Sequence, residues 1–325
     1  MVGSNRELTK HTTEKKVRVL MSVYNGEAYL RTQLESLVFQ QGVQVSLTVR
    51  DDASRDNSCQ IVEEFGSQIP VTLIHGENVG AARSFMELVH QTEEDADYYA
   101  FCDQDDYWLP EKLQRAVEKI ESDGCDTAKP VLYYSNVKRV GSELEEIDDP
   151  FKKNYHTETF GAVLISTAAP GCTMVFNKAL LLYLKAYMPE YLLMHDSWTL
   201  QVCTAIDGNV IYDENSYIKY RQHAGNVVGG DEKMKYGKVK LFLYRVKKMF
   251  DWHERPSKVA DEILKGYSNK MPLQNRRLAL RMKQSCESPI KAIGTLKYCL
   301  VKRKLCTPYR VINYKFYLQL LFVKA

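Results

Sequence analysis

The chain has 325 residues, 45% hydrophobic and 26% charged, a composition that gives room for a full core and excludes a disordered chain. The formal net charge of +3 conceals an asymmetry: residues 1–232 carry 21 Lys/Arg and 36 Asp/Glu, and residues 233–325 carry 23 and 5. Eight cysteines without a CxxC pair argue against a zinc site and for reduced thiols in a cytosolic protein. The polar first 16 residues and the lack of an 18-residue apolar run predict neither a secretory leader nor a transmembrane helix.

In chain order, residues 1–16 read as a disordered lead-in. Val17–Val23 is a short apolar run, read as a buried strand, and Tyr24-Asn25-Gly26 ends it. Glu27–Phe39 has helical periodicity. Val45–Val49 is a second strand, followed by a helix from Ser54 to Phe65. Val71–Ile74 is a third strand, residues 81–91 a helix, and Tyr98–Cys102 a fourth strand. A helix runs from Pro110 to about Ile120. Strand–helix alternation with short loops predicts a mixed, mostly parallel α/β sheet flanked by helices. Ligands then bind beyond the carboxyl ends of the strands. Further on, Val131–Asn136, Met174–Phe176 and Asn209–Tyr212 read as strands and Lys178–Tyr187 as a helix. Val239–Phe250, Lys258–Tyr267 and Pro272–Cys286 read as basic helices, and 290–325 mixes apolar, aromatic and basic residues. The organisation expected is a 17–232 catalytic domain with a 233–325 basic helical region.

Polar motifs gather at the predicted strand ends. Asp103-Gln104-Asp105-Asp106 places three carboxylates in four residues. Their repulsion calls for a cation, and hard oxygen ligands suit Mg²⁺ or Mn²⁺; the alternative is a solvated acidic turn before Pro110. Asp51 and Asp52 can accept hydrogen bonds from a base or ribose, while Ser54 or Asp56 can cap the next helix. Asn78-Val79-Gly80 with Arg83 offers a turn and a cation for a diphosphate. Asp196, in His195-Asp196-Ser197-Trp198, is a candidate general base or a helix cap. His223 is a candidate metal ligand or a surface residue in a turn. GxGxxG, GxxxxGK[ST] and GxSxG are all missing, which speaks against nicotinamide dehydrogenases, P-loop enzymes and serine hydrolases of the elbow type.

In this order, LMSVYNG (20–26), RDDASRDNS (50–58), NVG (78–80), FCDQDDYWLPEKL (101–113), PGCTMVFN (170–177), MHDSW (194–198) and YRQHAGNVVG (220–229) resemble family 2 glycosyltransferases of the GT-A fold. Within them the chain is similar to bacterial rhamnosyltransferases of cell-wall and capsular polysaccharide synthesis. The resemblance implies an inverting transfer from a nucleotide-diphosphate donor, dTDP-β-L-rhamnose or else a UDP-hexose, to a glycan hydroxyl. It places Tyr24, Asn25, Asp51, Asp52, Asn78, Arg83, Asp103, Gln104 and Trp108 at the donor. Asp103 and Asp105 become the DxD motif, with His223 completing a Mg²⁺ or Mn²⁺ site. Asp196 becomes the catalytic base, and Gly171, Cys172, Thr173, His195 and Trp198 border the sugar or acceptor. Many family members have Glu-Asp where this chain has His195-Asp196.

The basic, aromatic-rich tail fits an anionic membrane surface and a lipid-linked acceptor, on the inner face of the cell membrane. Its alternative is a solvated appendage or a homo-oligomer interface. No nucleic-acid module is present. Two rivals differ in class. A catalytically silent nucleotide-sugar-binding protein predicts a broken acid set, and a nucleotidyltransferase predicts a Gly- and Lys/Arg-rich loop after the first strand.

Overall fold

A computed structural model describes residues 14–147, 156, 159–223 and 255–321. Eight strands form one sheet: β1 (Lys15–Val23), β2 (Val43–Asp51), β3 (Val71–His75), β4 (Tyr98–Cys102), β5 (Tyr107–Trp108), β6 (Val131–Val140), β7 (Val175–Asn177) and β8 (Asn209–Arg221). Their order is β3-β2-β1-β4-β7-β6-β8-β5. β1 to β4 run parallel, and so do β6 and β8. β7 is antiparallel to both neighbours, and β5 to β8. The helices are α1 (Glu27–Val38), α2 (Ser58–Phe65), α3 (Ala81–Gln91), α4 (Lys112–Ser122), α5 (Phe160–Val163), α6 (Lys178–Lys185) and α7 (His195–Ala205). They continue with α8 (Arg255–Tyr267), α9 (Leu273–Gln284), α10 (Pro289–Lys302) and α11 (Arg310–Leu321). This is the mixed α/β architecture expected from the alternation.

β4 shows why continuous apolar runs suit a central strand. Successive side chains point to opposite faces, so Tyr99 and Phe101 join one core, while Tyr98, Ala100 and Cys102 join the other. The second face is covered by Leu30, Leu34 and Leu37 of α1 and by Leu113, Ala116, Val117 and Ile120 of α4. These lie three or four residues apart, so each helix presents one apolar stripe. The first face is covered by α3, α6 and α7. The C-terminal helices share that core: Val259, Ile263, Tyr267, Leu278 and Met282 are buried in the same cluster as Trp198. Burial of each such side chain contributes roughly 1.5–3 kcal/mol.

Several boundaries differ from the sequence reading. β1 starts at Lys15, within the segment expected as lead-in. α2 starts at Ser58 rather than Ser54. Asp56 accepts from the Ser58 N–H at 3.1 Å and from the Glu27 N–H at 3.0 Å, and Ser54 instead accepts from Asn25 N–H at 3.0 Å. β8 extends 13 residues, far past Tyr212. Its polar middle, Asp213–Ser216, hides it from an apolar pattern, and register shifts at Asn136 absorb the irregularity. β5 has two residues and carries no periodicity; its pairing with β8 creates it. α7 has no counterpart in the sequence reading, and α10 and α11 fall in the expected basic helical region, where the sequence reading gives no helix bounds. The helix predicted over Val239–Phe250 lies outside the described residues.

Candidate active site

The carboxyl ends of β1, β2, β4 and β8 meet at one edge of the sheet, where the loops are tied together by polar side chains. Gln104 links the loops after β1 and β4: its Oε1 accepts from Tyr24 N–H at 2.8 Å and its Nε2 donates to Tyr24 O at 3.1 Å. A Cβ on Gly26 would lie 2.5 Å from Gln104 Oε1, so a larger residue there would push the Gln104 amide from its place between the loops. Tyr24 is 46% exposed. Asn25 has a φ of 47°, an αL conformation that asparagine tolerates, and its Oδ1 accepts from Arg55 N–H at 2.9 Å.

Beyond β2, Asp51 and Asp52 are both buried. Asp51 accepts from Ser54 N–H at 3.1 and 3.2 Å. Asp52 pairs with Arg50 at 2.5 Å and accepts from Val79 and Gly80 N–H at 3.0 and 2.9 Å. Asp52 therefore holds the loop that presents Asn78, whose side chain is exposed. Arg50 also meets Glu87 at 2.7 Å and donates to Ser84 Oγ at 2.9 Å. Arg83, in the first turn of α3, donates to Pro189 O at 3.2 Å.

The acidic loop after β4 divides its carboxylates. Asp105 faces His223, with Nε2 2.7 Å from Oδ2. Asp106 is fully buried and accepts from Arg221 N–H at 3.0 Å. Arg221 Nε donates to Asp105 O at 2.6 Å, and its guanidinium lies over the Tyr29 ring. Tyr29 in turn packs on His223, with ring centroids 4.6 Å apart. Burial pushes Asp103 up to about 8, with repulsion from Asp105 and then Asp196 adding to it. A carboxylate crowded in this way is stabilised by a proton or a nearby cation. Carboxylate oxygens with one imidazole nitrogen fit Mg²⁺ or Mn²⁺. Among the described residues, the trios whose ligand atoms all lie within 4.8 Å of one another are Asp103, Asp106 and Cys172, and Asp51 and His75 at the ends of β2 and β3 with Cys59 of α2.

The turn before β7 brings the last group. Gly171–Thr173 forms one 3₁₀ turn against the start of α7. A Cβ on Gly171 would stand 2.7 Å from His195 Nε2 and 3.2 Å from Asp196 Cβ. Asp196, in the first turn of α7, accepts from Ser197 N–H at 2.5 Å, with the Gly171 backbone close by. Burial pushes its carboxyl up, and hydrogen bonding opposes the rise. His195 is packed face-on against Phe85 at 3.8 Å and edge-on to Phe101 at 4.8 Å. Burial pulls it down to about 3, so it is a neutral imidazole. Cys172 and Thr173 are buried. Thr173 Oγ1 donates to Pro170 O at 2.8 Å and accepts from Ser135 N–H at 3.2 Å.

Asp103, Asp105, Asp196 and His223 are thus brought together. Trp108 and Trp198 are enclosed instead, 0% and 1% exposed. Trp198 packs with Tyr187 and Tyr267. Trp108 carries Lys112 Nζ 3.4 Å above its ring. Burial pulls Lys112 down to about 8, and it lies within electrostatic reach of Asp106, Cys102 and Cys172. The sequence reading assigns no role to Lys112, Tyr29 or Arg221, and it counts Asp106 only as one of the three clustered acids. For Arg221 the one signal is its place two residues before the candidate ligand His223, at the end of β8.

Residues 18–182 match the model of Glycosyl transferase family 2. The chain belongs to that family. It is 28% identical over 257 residues to the dTDP-rhamnosyl transferase RfbG of Shigella flexneri, covering 75% of this chain and 84% of that protein. The glycosyltransferase GlyA of Streptococcus pneumoniae serotype 4 is 27% identical over 222 residues, which are 66% of this chain and 32% of GlyA. Among solved structures, S. aureus TarS 1–349 in complex with UDP-GlcNAc superposes with a TM-score of 0.55 at 19% identity, covering 94% of this chain and 88% of that one. The mannosyltransferase PcManGT of Pyrobaculum calidifontis, in complex with GDP-Man and Mn²⁺, has a TM-score of 0.50 at 16% identity, covering 96% and 86%. The fold is GT-A, and the protein is a glycosyltransferase.

Proposed function

We propose that the protein is an inverting, divalent-cation-dependent rhamnosyltransferase that uses dTDP-β-L-rhamnose and a lipid-linked or glycan acceptor at the inner face of the cell membrane. The observation that carries this is the convergence of Asp103, the Asp105–His223 pair and Asp196 at the strand ends where α/β folds bind ligands. The kinship with RfbG supports the choice of donor.

Asp103, Asp105 and His223 would hold Mg²⁺ or Mn²⁺. The cation supplies positive charge against the departing diphosphate. Asp51 retains acceptor capacity for the base or ribose beyond its bond to Ser54, and Asp52 acts through the Asn78 loop that it holds. Arg83, on the first turn of α3, adds a cation for the diphosphate. Asp196 takes the proton of the acceptor hydroxyl. The acceptor oxygen bonds to the anomeric carbon as the bond to the diphosphate oxygen breaks on the opposite face. The Ser197 N–H orients the Asp196 carboxylate, and the Gly171 turn packs closely against the start of α7 that carries it.

A thermal-shift panel of nucleotide sugars, each with and without Mg²⁺ or Mn²⁺, tests the reading. A ligand that binds only the native state raises Tm by mass action. A cation-dependent rise with dTDP-β-L-rhamnose, exceeding that with UDP-hexoses, is expected. A rise with a UDP-hexose alone replaces the donor, and no rise with any donor overturns the proposal.

A further inference from the structure

The last two helices leave apolar side chains in water. On α10, Ile290 is 83% exposed and Val301 67%, with Ile293 and Leu300 also exposed. Counting from Ile290, these are positions i, i+3, i+10 and i+11, one side of a helix. The opposite side, Ala292, Thr295 and Cys299, is buried. α11 repeats the pattern, with Tyr314, Leu318 and Leu321 exposed and Phe316 and Leu320 buried. Each helix therefore already has its core-facing stripe, and folding does not require the outer one. Soluble surfaces seldom carry such apolar stripes without a partner.

The charge around the stripes selects that partner. Residues 288–321 hold seven Lys/Arg and no Asp or Glu, and all seven basic side chains are exposed. A two-fold contact with a second copy sets the same patch against itself, which would press like charges together. Nucleic acid would use the cations but leave the aliphatic stripe in water. A surface with anionic headgroups over acyl chains satisfies both at once.

We infer that the outer faces of α10 and α11 dock the protein on an anionic bilayer, with Ile290, Ile293, Leu300 and Val301 entering the headgroup boundary and Lys297 and Lys302 meeting lipid phosphates. This deepens the reading that the acceptor is lipid-linked and rests on it. Docking would hold the enzyme in the leaflet where such an acceptor lies. Among the described residues no helix is long and apolar enough to cross a membrane, so the attachment proposed is peripheral.

The test uses the full chain, without donor or divalent cation, so its outcome is independent of the transferase reading; that reading is scored separately with a soluble acceptor. Sedimentation is measured with vesicles of phosphatidylcholine alone and with one-third phosphatidylglycerol. Binding at least tenfold tighter to the anionic vesicles is expected. Both I290S/I293S/V301S and K297E/K302E should weaken it at least tenfold while melting like the parent chain. Hydrogen exchange on the unmodified protein gives a second readout, with vesicle-induced protection expected over 290–302. Equal affinity for the two vesicle types, unchanged binding by both variants, or no protection in α10 would overturn the inference. So would tighter binding to duplex DNA than to vesicles, or a dimer that the serine variant dissociates.

Discussion

His223 Nε2 stands 2.7 Å from Asp105 Oδ2, across 118 residues of chain. The contact exists because β8 pairs with β6 along its length and delivers its end to the acidic loop after β4. Tyr29 packs on the imidazole at 4.6 Å between ring centroids, a contact that helps to orient it.

Removing either partner should therefore disable cation-dependent donor binding. Asp105→Ala and His223→Ala are each expected to weaken the divalent-cation effect on Tm with donor at least tenfold in apparent affinity, in line with the loss of one ligand. His223→Ala should leave the melting temperature of the ligand-free protein within a few degrees. Titration of Mn²⁺ by thermal shift measures this, and an unchanged Mn²⁺ dependence in both variants would remove these residues from the cation site.

Asp196→Asn should retain donor binding and lose turnover by about 10²–10⁴-fold, the usual worth of a positioned base. The pH profile of the parent enzyme follows from the same carboxyl. Burial raises it from 3.8, the base must be ionised, and so kcat should fall with acid at a pH above the ordinary carboxylate range. An acid limb at or below that of a free aspartate would contradict the assignment.

Asp103 couples stability to pH. Its folded value of about 8 against an ordinary 3.8 means that the folded, cation-free protein keeps a proton which the unfolded chain gives up. The stability contributed is full below the unfolded value and is lost as pH rises through about 8. A bound cation replaces that proton. Mn²⁺ should accordingly raise Tm more at pH 8.5 than at pH 6, and equal shifts at the two pH values would refute it.

Gly171→Ala tests the close approach of the 3₁₀ turn to α7. The new Cβ would meet His195 Nε2 at 2.7 Å, and His195 cannot retreat because Phe85 and Phe101 enclose it. A cost of about 1–3 kcal/mol is expected from overpacking, read by denaturant unfolding. The displaced Asp196 should lower kcat more than it alters donor affinity.

The alternation along 17–120 made the parallel half of the sheet legible, because each buried strand is a compact apolar run and each covering helix repeats its stripe every three or four residues. Asp103 and Asp105 stand out as acids at an expected strand end, a chemical signal that needs no coordinates, whereas Asp196 is singled out chiefly by the family resemblance. Lys112 and Asp106 carried no such mark. One is a lysine on an ordinary helix, and the other is a third acid in a run whose members look alike until burial separates them.

By itself the sequence determined the layered α/β class, the order of strands and helices through residue 102, and the acid-bearing loops, since these follow from local periodicity and turn chemistry. Only the tertiary structure decided that β8 continues through a polar stretch to place His223 on Asp105, that Asp52 holds a loop, and that Trp108 and Trp198 face inward. Those outcomes depend on pairing and packing between residues far apart in the chain. Long-range contacts of that kind leave no periodic trace along it.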